Sequence, residues 1–146
     1  MFENKNEVHL VKYAQKKNKV FQFLKSIQAM NADYIFVADN NGSPCITDRK
    51  QRIENDFKNI DKNKILVVVR EIEGWYLAGI DDGSSKKFGI KSFHNTEHIN
   101  KVAFNDLKPK KFSSRIDFMS EILKLFCIGT AKSKNGSFSY FIEKYV

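Results

Sequence analysis

The sequence predicts an α/β protein, a three-layer sandwich with a mainly parallel central sheet and a helical C-terminal part. Two short apolar runs, YIFVA at 34–38 and ILVVV at 65–69, contain no alternating polar side chains. Such runs are typical of strands that are buried on both faces, as in parallel sheets. Apolar residues at helical spacing lie before and between the two runs, which predicts strand–helix–strand connections.

The first half of the chain predicts the order strand, helix, strand, helix, strand. Residues 7–13 alternate apolar and polar side chains, which indicates a further strand. Residues 15–31 predict a helix with an apolar face of Val20, Phe23, Leu24, Ile27 and Met30. Turn residues at 40–44 lead into a second helix, with an inner stripe of Ile46, Ile53, Phe57 and Ile60. Right-handed crossovers would then place the helices against the faces of the sheet.

The second half of the chain predicts helices joined by loops. The segment 81–85 has the composition of a loop, and residues 86–111 predict only short helices. A helix that Ser113 or Ser114 caps and that ends at Cys127 has an expected core face of Ile116, Met119, Ile122, Leu123 and Phe126. Helices are also expected over 70–80 and 138–146.

Length and composition predict one cytoplasmic domain over residues 1–146. The chain is 42% hydrophobic, which is enough for one substantial core. No apolar run of 18 residues occurs, so no transmembrane helix and no membrane partner are expected. The N-terminus, MFENKNEVHL, lacks the apolar region of a signal peptide. Cys45 and Cys127 lie far apart and form no CxxC pair, which favours a reduced compartment.

The chain carries an excess of positive charge, with 25 Lys and Arg residues against 17 Asp and Glu. Basic clusters occur at 16–19, 86–87 and 108–111. They suit contacts with the phosphates of DNA or RNA if they gather on one face of the fold. The alternative is a solvated lysine surface without a nucleic-acid partner. The sequence leaves both interpretations open.

Asp39 is the strongest candidate for a functional residue. It follows the buried run 34–38 directly, and in parallel sheets ligands bind beyond the carboxyl ends of the strands. A carboxylate there, with Asn41 two residues later, offers the hard oxygen donors that Mg²⁺ prefers. The alternative is that Asp39 and Asn41 only form an Asx turn that caps the next helix.

Glu71 and Glu73 are the second pair of candidates, because they follow the run 65–69. The ends of two neighbouring parallel strands meet at one edge, so either carboxylate could assist Asp39 there. Side chains two apart on a helix diverge, however, so at most one is expected to point at Asp39. The alternative role is the favourable placement of acids in the first turn of a helix. Trp75 and Tyr76 are expected to be core or interface anchors.

Other candidate sites carry less weight. His94 and His98 have helical spacing, but no third metal ligand accompanies them, and Cys45 has no identifiable histidine partner. The glycine-rich motifs of dinucleotide-binding and NTP-binding sites do not occur in the sequence.

Three segments of the sequence resemble TOPRIM domains. IFVADNN at 35–41 resembles the strand that carries the Asp-x-Asp motif of these domains. VVREIEGWYLA at 68–78 is similar to the REIEAWLLA segment of small stand-alone TOPRIM-like proteins related to the OLD nucleases. NGSFSYF at 135–141 is similar to their closing SPSFxxF helix. The three segments occur in the family's order.

The resemblance implies a TOPRIM-like fold and Mg²⁺-dependent cleavage or transfer of nucleic-acid phosphodiesters. Asp39 matches the first aspartate of the motif, and Asn41 stands in place of the second. The family's first strand, with its Glu-Gly turn, has no counterpart before residue 7. The implied functions are therefore a metal-dependent nuclease, with Asp39 and Glu71 or Glu73 as catalytic residues, or a catalytically degenerate module. Such a module would bind nucleic acid or a partner protein subunit.

Overall fold

The computed structural model describes residues 9–12 and 17–146, which form an α/β protein. Within these residues there are eight α-helices and one sheet of two parallel strands. The strands are β1, Phe36–Asp39, and β2, Ile65–Val68. The helices are α1 Val20–Ala29, α2 Ile46–Asp56, α3 Glu73–Ala78, α4 Asp82–Phe88, α5 Lys101–Leu107, α6 Arg115–Lys124, α7 Ile128–Lys134 and α8 Gly136–Tyr145. The predicted α/β class is confirmed at this level.

The sheet is smaller than the sequence predicts. In the part of the chain that the structure describes it has two strands, so a three-layer sandwich is not confirmed. Residues 9–12 of the predicted strand 7–13 are exposed and have no regular structure, and the rest of that strand lies outside the described residues. β2 is buried along its whole length, as predicted. β1 is covered on one face only, since Val37 is 42% exposed, and the prediction of two buried faces was wrong there.

The chain divides into two compact units. One comprises the described residues up to Ala38 together with Ser43–Val67 and Val146, and the other comprises Asp39–Gly42 and Val68–Tyr145. The single domain 1–146 that composition suggests stays a prediction. The core of the first unit is mainly aliphatic. It packs α1 and α2 against the strands through Val20, Leu24, Phe36, Ala38, Ile53, Ile60, Ile65 and Val67.

The periodic helices of the first unit form where the sequence places them, but their ends differ. Met30 and Ile46 were expected on the inner faces of α1 and α2, and both are exposed. Each lies at or beyond the end of its helix, where the packing partner no longer covers it. Cys45 is the N-cap of α2, and its Sγ accepts a hydrogen bond from the Asp48 N–H at 3.4 Å.

The second unit is built around an aromatic core. Phe88, Phe93, Phe104 and Phe118 are buried there with Leu77, Ile80, Ile99, Met119 and Ile122. Two of its helices were not predicted. α4 occupies the expected loop, because the Asp81 side chain caps it by accepting from the Ser84 N–H at 2.7 Å. The other is α7, a single short helix between α6 and α8.

The predicted cap of α6 is confirmed, but part of its predicted core face is not. The Ser114 Oγ accepts from the Asp117 N–H at 3.0 Å, and the helix follows it directly. Ile116 and Leu123 were expected in the core but are 65% and 55% exposed. Met119 and Ile122 are buried, as predicted, and Phe126 packs partly buried against the same core. Phe118, which was not predicted, completes the buried face. None of the helices described is long and apolar enough to cross a membrane.

Candidate functional site

The turn after β1 places Asp39 at the carboxyl end of the sheet. The Asn40 N–H donates to the Val68 carbonyl at 3.0 Å, which continues the pairing of the strands past Asp39. Asn41 and Gly42 then adopt left-handed backbone conformations, with φ of 50° and 72°, and reverse the chain. Asn and Gly are the residues that tolerate this region best, so the NNG sequence explains the tight turn.

The turn after β2 brings a second segment to Asp39. Arg70 has a φ of 59°, which bends the chain sharply at the end of the strand. The Ile72 N–H then donates to the Asp39 Oδ1 at 3.1 Å, so the half-buried carboxylate lies against the peptide that joins Glu71 and Ile72. The ends of the two parallel strands therefore meet, as the sequence predicts.

The two glutamates contact different helices. The Glu71 Oε2 accepts a hydrogen bond from the Lys101 N–H, at the first residue of α5. Glu73 begins α3 and is only 5% exposed, and its Oε1 lies 3.3 Å from the Arg115 Nη1 at the start of α6. Glu71 is thus bound to a backbone N–H group at the N-terminus of a helix, whereas Glu73 is in a buried ion pair.

The donor groups for a metal at this turn are few. Asp39 supplies a carboxylate whose Oδ1 already accepts from Ile72, and Asn41 supplies an exposed amide. Mg²⁺ is commonly held by one or two carboxylates with waters and substrate phosphates, so this set is the minimum that fits the ion. Over residues 9–12 and 17–146, no three His, Cys, Asp or Glu side chains gather into a group that could hold a metal. Asp39 and Asn41 as Mg²⁺ ligands therefore stay predictions.

A buried polar cluster, which we define as Trp75, Thr96, Asn135 and Ser137, was not foreseen from the sequence. The Trp75 Nε1 donates to the Ser137 Oγ, and the Ser137 hydroxyl donates to the Asn135 Oδ1, both at 2.8 Å. The Asn135 Nδ2 donates to the Thr96 Oγ1 at 3.1 Å. Its Oδ1 also accepts from the Phe138 N–H at 3.1 Å, in the first turn of α8. The NGSF sequence, a polar residue three before a helical N–H, is the signal that could have indicated this cap.

The polar cluster joins two of the three segments that resemble TOPRIM-like proteins. Trp75 belongs to the segment 68–78, and its ring contacts those of Phe138 and Phe141 in the closing segment, with centroids 5.2 and 5.3 Å apart. Trp75 is buried, which confirms that it is a core anchor. The segments 68–78 and 135–141 therefore pack together through these rings.

The thiol of Cys127 has a lowered pKa. This residue precedes α7, its N–H donates to the Gly79 carbonyl at 2.9 Å, and it is exposed. Hydrogen bonding with Thr130 lowers the pKa of the Cys127 thiol below its usual range. His94 and His98 are exposed, in agreement with the expectation of surface histidines.

No protein-family model, no curated protein and no solved structure matches this chain. The resemblance to TOPRIM domains therefore rests on the three sequence segments alone.

Proposed function

We propose that the chain is a TOPRIM-like module that binds nucleic acid and is catalytically degenerate. The observation that carries this proposal is that all three candidate carboxylates make contacts within the fold. Glu73 is buried in an ion pair with Arg115, while Asp39 and Glu71 accept hydrogen bonds from the N–H groups of Ile72 and Lys101.

These contacts favour a structural role for the three carboxylates, which stabilise the fold, over a role in metal binding. The hydrogen bond from the Ile72 N–H uses one of about four acceptor positions of the Asp39 carboxylate, so it does not by itself oppose metal binding. The Asn41 amide, however, adds no second negative charge to attract a metal ion. Extracting Glu73 from its buried pair would leave Arg115 without its counter-charge. A second carboxylate could therefore join Asp39 in a metal centre only by giving up its contact with Lys101, for Glu71, or with Arg115, for Glu73.

Binding without metal tests the proposal. We expect labelled single-stranded and duplex oligonucleotides to bind at about 50 mM salt in the presence of EDTA, with affinity falling steeply as salt is raised. Fluorescence anisotropy measures both properties. Asp39→Asn, which keeps an acceptor for the Ile72 N–H, should bind as the wild type does. An absence of binding at low salt, or a strict dependence of binding on Mg²⁺, would contradict the proposal.

A second candidate function is Mg²⁺-dependent cleavage or transfer of phosphodiesters. It is favoured by the position of Asp39, whose carboxylate lies at the carboxyl end of β1 against the Glu71–Ile72 peptide. In this version Asp39 and Asn41 hold the metal, and Glu71 or Glu73 assists. Bound Mg²⁺ would stabilise negative charge on the phosphodiester and activate water.

The nicking of supercoiled plasmid in Mg²⁺ distinguishes the two candidates. The second predicts nicking that Asp39→Ala abolishes and that Asp82→Ala, a change at an exposed carboxylate of the same unit, leaves intact. Equal nicking by wild type and Asp39→Ala would exclude this site as its source. Nicking that is lost only in Asp39→Ala would replace the degenerate version with the catalytic one.

A further inference from the structure

Two of the basic clusters in the sequence are brought together by aromatic packing. Phe88 is the last residue of α4 and follows Lys86 and Lys87 directly. Its ring lies 6.1 Å from that of Phe112 and 5.5 Å from that of Phe118, between centroids. Phe112 in turn follows the second cluster, 108–111. The packing of Phe88 on Phe112 therefore places the ends of two distant lysine segments side by side.

Direct contacts hold the loop of the second cluster together and against the last residue of α4. The Lys111 Nζ lies 5.8 Å from the Phe88 ring centroid and 5.1 Å from that of Phe112, within the range of cation–π attraction. The Lys108 Nζ donates to the Phe112 carbonyl at 2.6 Å, which closes the 108–112 loop. Lys110 and Lys111 remain exposed on this loop, as Lys86 and Lys87 are on α4. We call these four residues the lysine surface.

Few acids accompany the lysine surface. No Asp or Glu occurs between residues 83 and 96 or between residues 107 and 116. The acid that follows the loop, Asp117, accepts hydrogen bonds from the backbone and hydroxyl of Ser113. Asp81 lies near Lys87 and offsets part of its charge. Asp82 lies one helical turn before Lys86 on α4. Over residues 81–88 and 108–111 five lysines still stand against two aspartates, and this excess of positive charge favours an anionic ligand.

We propose that the lysine surface contacts the phosphodiester backbone of nucleic acid. This inference rests on the proposed function and locates its binding surface. Several exposed ammonium groups on two adjacent segments are matched best by a polymer of high charge density, and duplex DNA carries one negative charge per about 1.7 Å of its axis. Lysine acts on phosphates as a point charge, so the surface binds without reading sequence.

Paired substitutions test the surface. Lys86→Gln/Lys87→Gln and Lys110→Gln/Lys111→Gln each remove two charges from it. The matched control Lys25→Gln/Lys58→Gln removes two exposed charges from the other unit, outside the three basic clusters. We expect each surface pair to weaken binding to a labelled duplex about tenfold or more at low salt. Each should also reduce the slope of log affinity against log salt by about 2, because each lysine neutralises about one phosphate. The control should change neither quantity appreciably.

The outcomes separate this inference from the proposed function. If the wild type binds and all three pairs weaken it equally, the proposed function stands and the lysine surface is wrong. If the wild type binds no oligonucleotide, both are overturned. If poly-glutamate displaces the duplex as well as unlabelled duplex does, the surface fits an acidic protein and the commitment to nucleic acid is wrong. The fluorescence of Trp75, the single tryptophan, checks that each variant is folded.

Discussion

Two sets of polar side chains stabilise the unit formed by residues 39–42 and 68–145, and they do so differently. In the polar cluster, uncharged groups bond mainly to one another, from Trp75 through Ser137 and Asn135 to Thr96. The candidate carboxylates bond instead to backbone N–H groups, at Asp39 and Glu71, or to a guanidinium, at Glu73. The first set joins α3, α8 and the segment at Thr96. In the second set, Asp39 holds the turn after β2, while Glu71 and Glu73 contact the starts of α5 and α6.

The acidic residues can be interpreted as functional or as structural. A carboxylate near the end of a strand suggests chemistry, and a buried Asn or Trp suggests a core. The hydrogen bonds of the polar cluster are buried, so loss of one partner leaves a buried polar group unsatisfied, which is costly. The bonds of Asp39 and Glu71 are part-buried or exposed, so water can replace a lost partner there. The two sets differ in what their loss should do, and that difference can be measured.

Removing Asn135 should have the largest effect on stability. Asn135 is 2% exposed, and Asn135→Ala leaves the Ser137 hydroxyl and the Phe138 N–H without their acceptor, besides opening a cavity. Each buried unsatisfied group costs about 1–3 kcal/mol, so we expect a loss of about 3 kcal/mol or more in the free energy of unfolding. Urea unfolding followed by Trp75 fluorescence measures it.

The matched control for this change is Asn105→Ala, at an exposed asparagine on α5, which should cost less than about 0.5 kcal/mol. Equal losses in the two variants would show that the polar cluster contributes nothing specific to the stability of the unit.

Breaking the Glu73–Arg115 pair should cost less than removing Asn135. Loss of one partner of a buried pair costs about 3–5 kcal/mol, but the Arg115 side chain is 28% exposed and regains some hydration. We therefore expect about 2 kcal/mol for Glu73→Gln in the same urea experiment.

A double-mutant cycle separates the pair from its surroundings. Glu73→Met/Arg115→Met should recover much of the loss, since no charge is then left buried alone. A double variant whose loss equals the sum of the two single losses would mean that the two side chains are not coupled.

At Gly74, the backbone of α3 lies close to Thr96 and Asn135 of the polar cluster, and a substitution there tests this close approach. A Cβ at this position would lie 2.8 Å from the Thr96 carbonyl oxygen and 3.6 Å from the Asn135 Nδ2. Gly74→Ala should therefore destabilise the protein by about 1–3 kcal/mol, because the backbone around Thr96 must shift.

Gly83 is the matched control for Gly74, since it also lies in a helix. The nearest atom to its Cβ position is the Asp81 Oδ1 at 3.5 Å, and Gly83→Ala should be neutral or stabilising by up to about 1 kcal/mol. If both changes had the same sign, the close approach at Thr96 would not determine the requirement for glycine.

The apolar periodicity of the sequence predicts much of the fold. It predicts the candidate site only in part. The apolar runs locate β1 and β2, and parallel pairing alone predicts that Asp39 meets the segment after β2, as its bond to Ile72 confirms. The partners of Glu71 and Glu73 depend on where α5 and α6 begin in space, which local pattern does not encode. α4 was missed for a different reason, since DDGSS has the composition of a turn and its role as a helix start depends on the Asp81 cap.

The smallest effect we predict is a dependence of stability on alkaline pH through Tyr76. Burial, together with the neighbouring Glu73 carboxylate, raises the pKa of the Tyr76 phenol. A raised pKa in the folded state means that the contribution is fully present below the unfolded pKa of about 10, and that it is lost as pH rises through the folded value. The free energy of unfolding, followed by circular dichroism from pH 8 to 11, should therefore fall less steeply for Tyr76→Phe than for the wild type. Tyr140→Phe, at an exposed tyrosine, serves as the control. Glu73→Gln should reduce the dependence without removing it, because burial is the larger cause. Identical pH profiles for wild type and Tyr76→Phe would mean that the Glu73 carboxylate and the Tyr76 phenol do not share a poorly solvated environment. The carboxylates and the uncharged polar cluster would then differ less in their surroundings than their hydrogen bonds suggest.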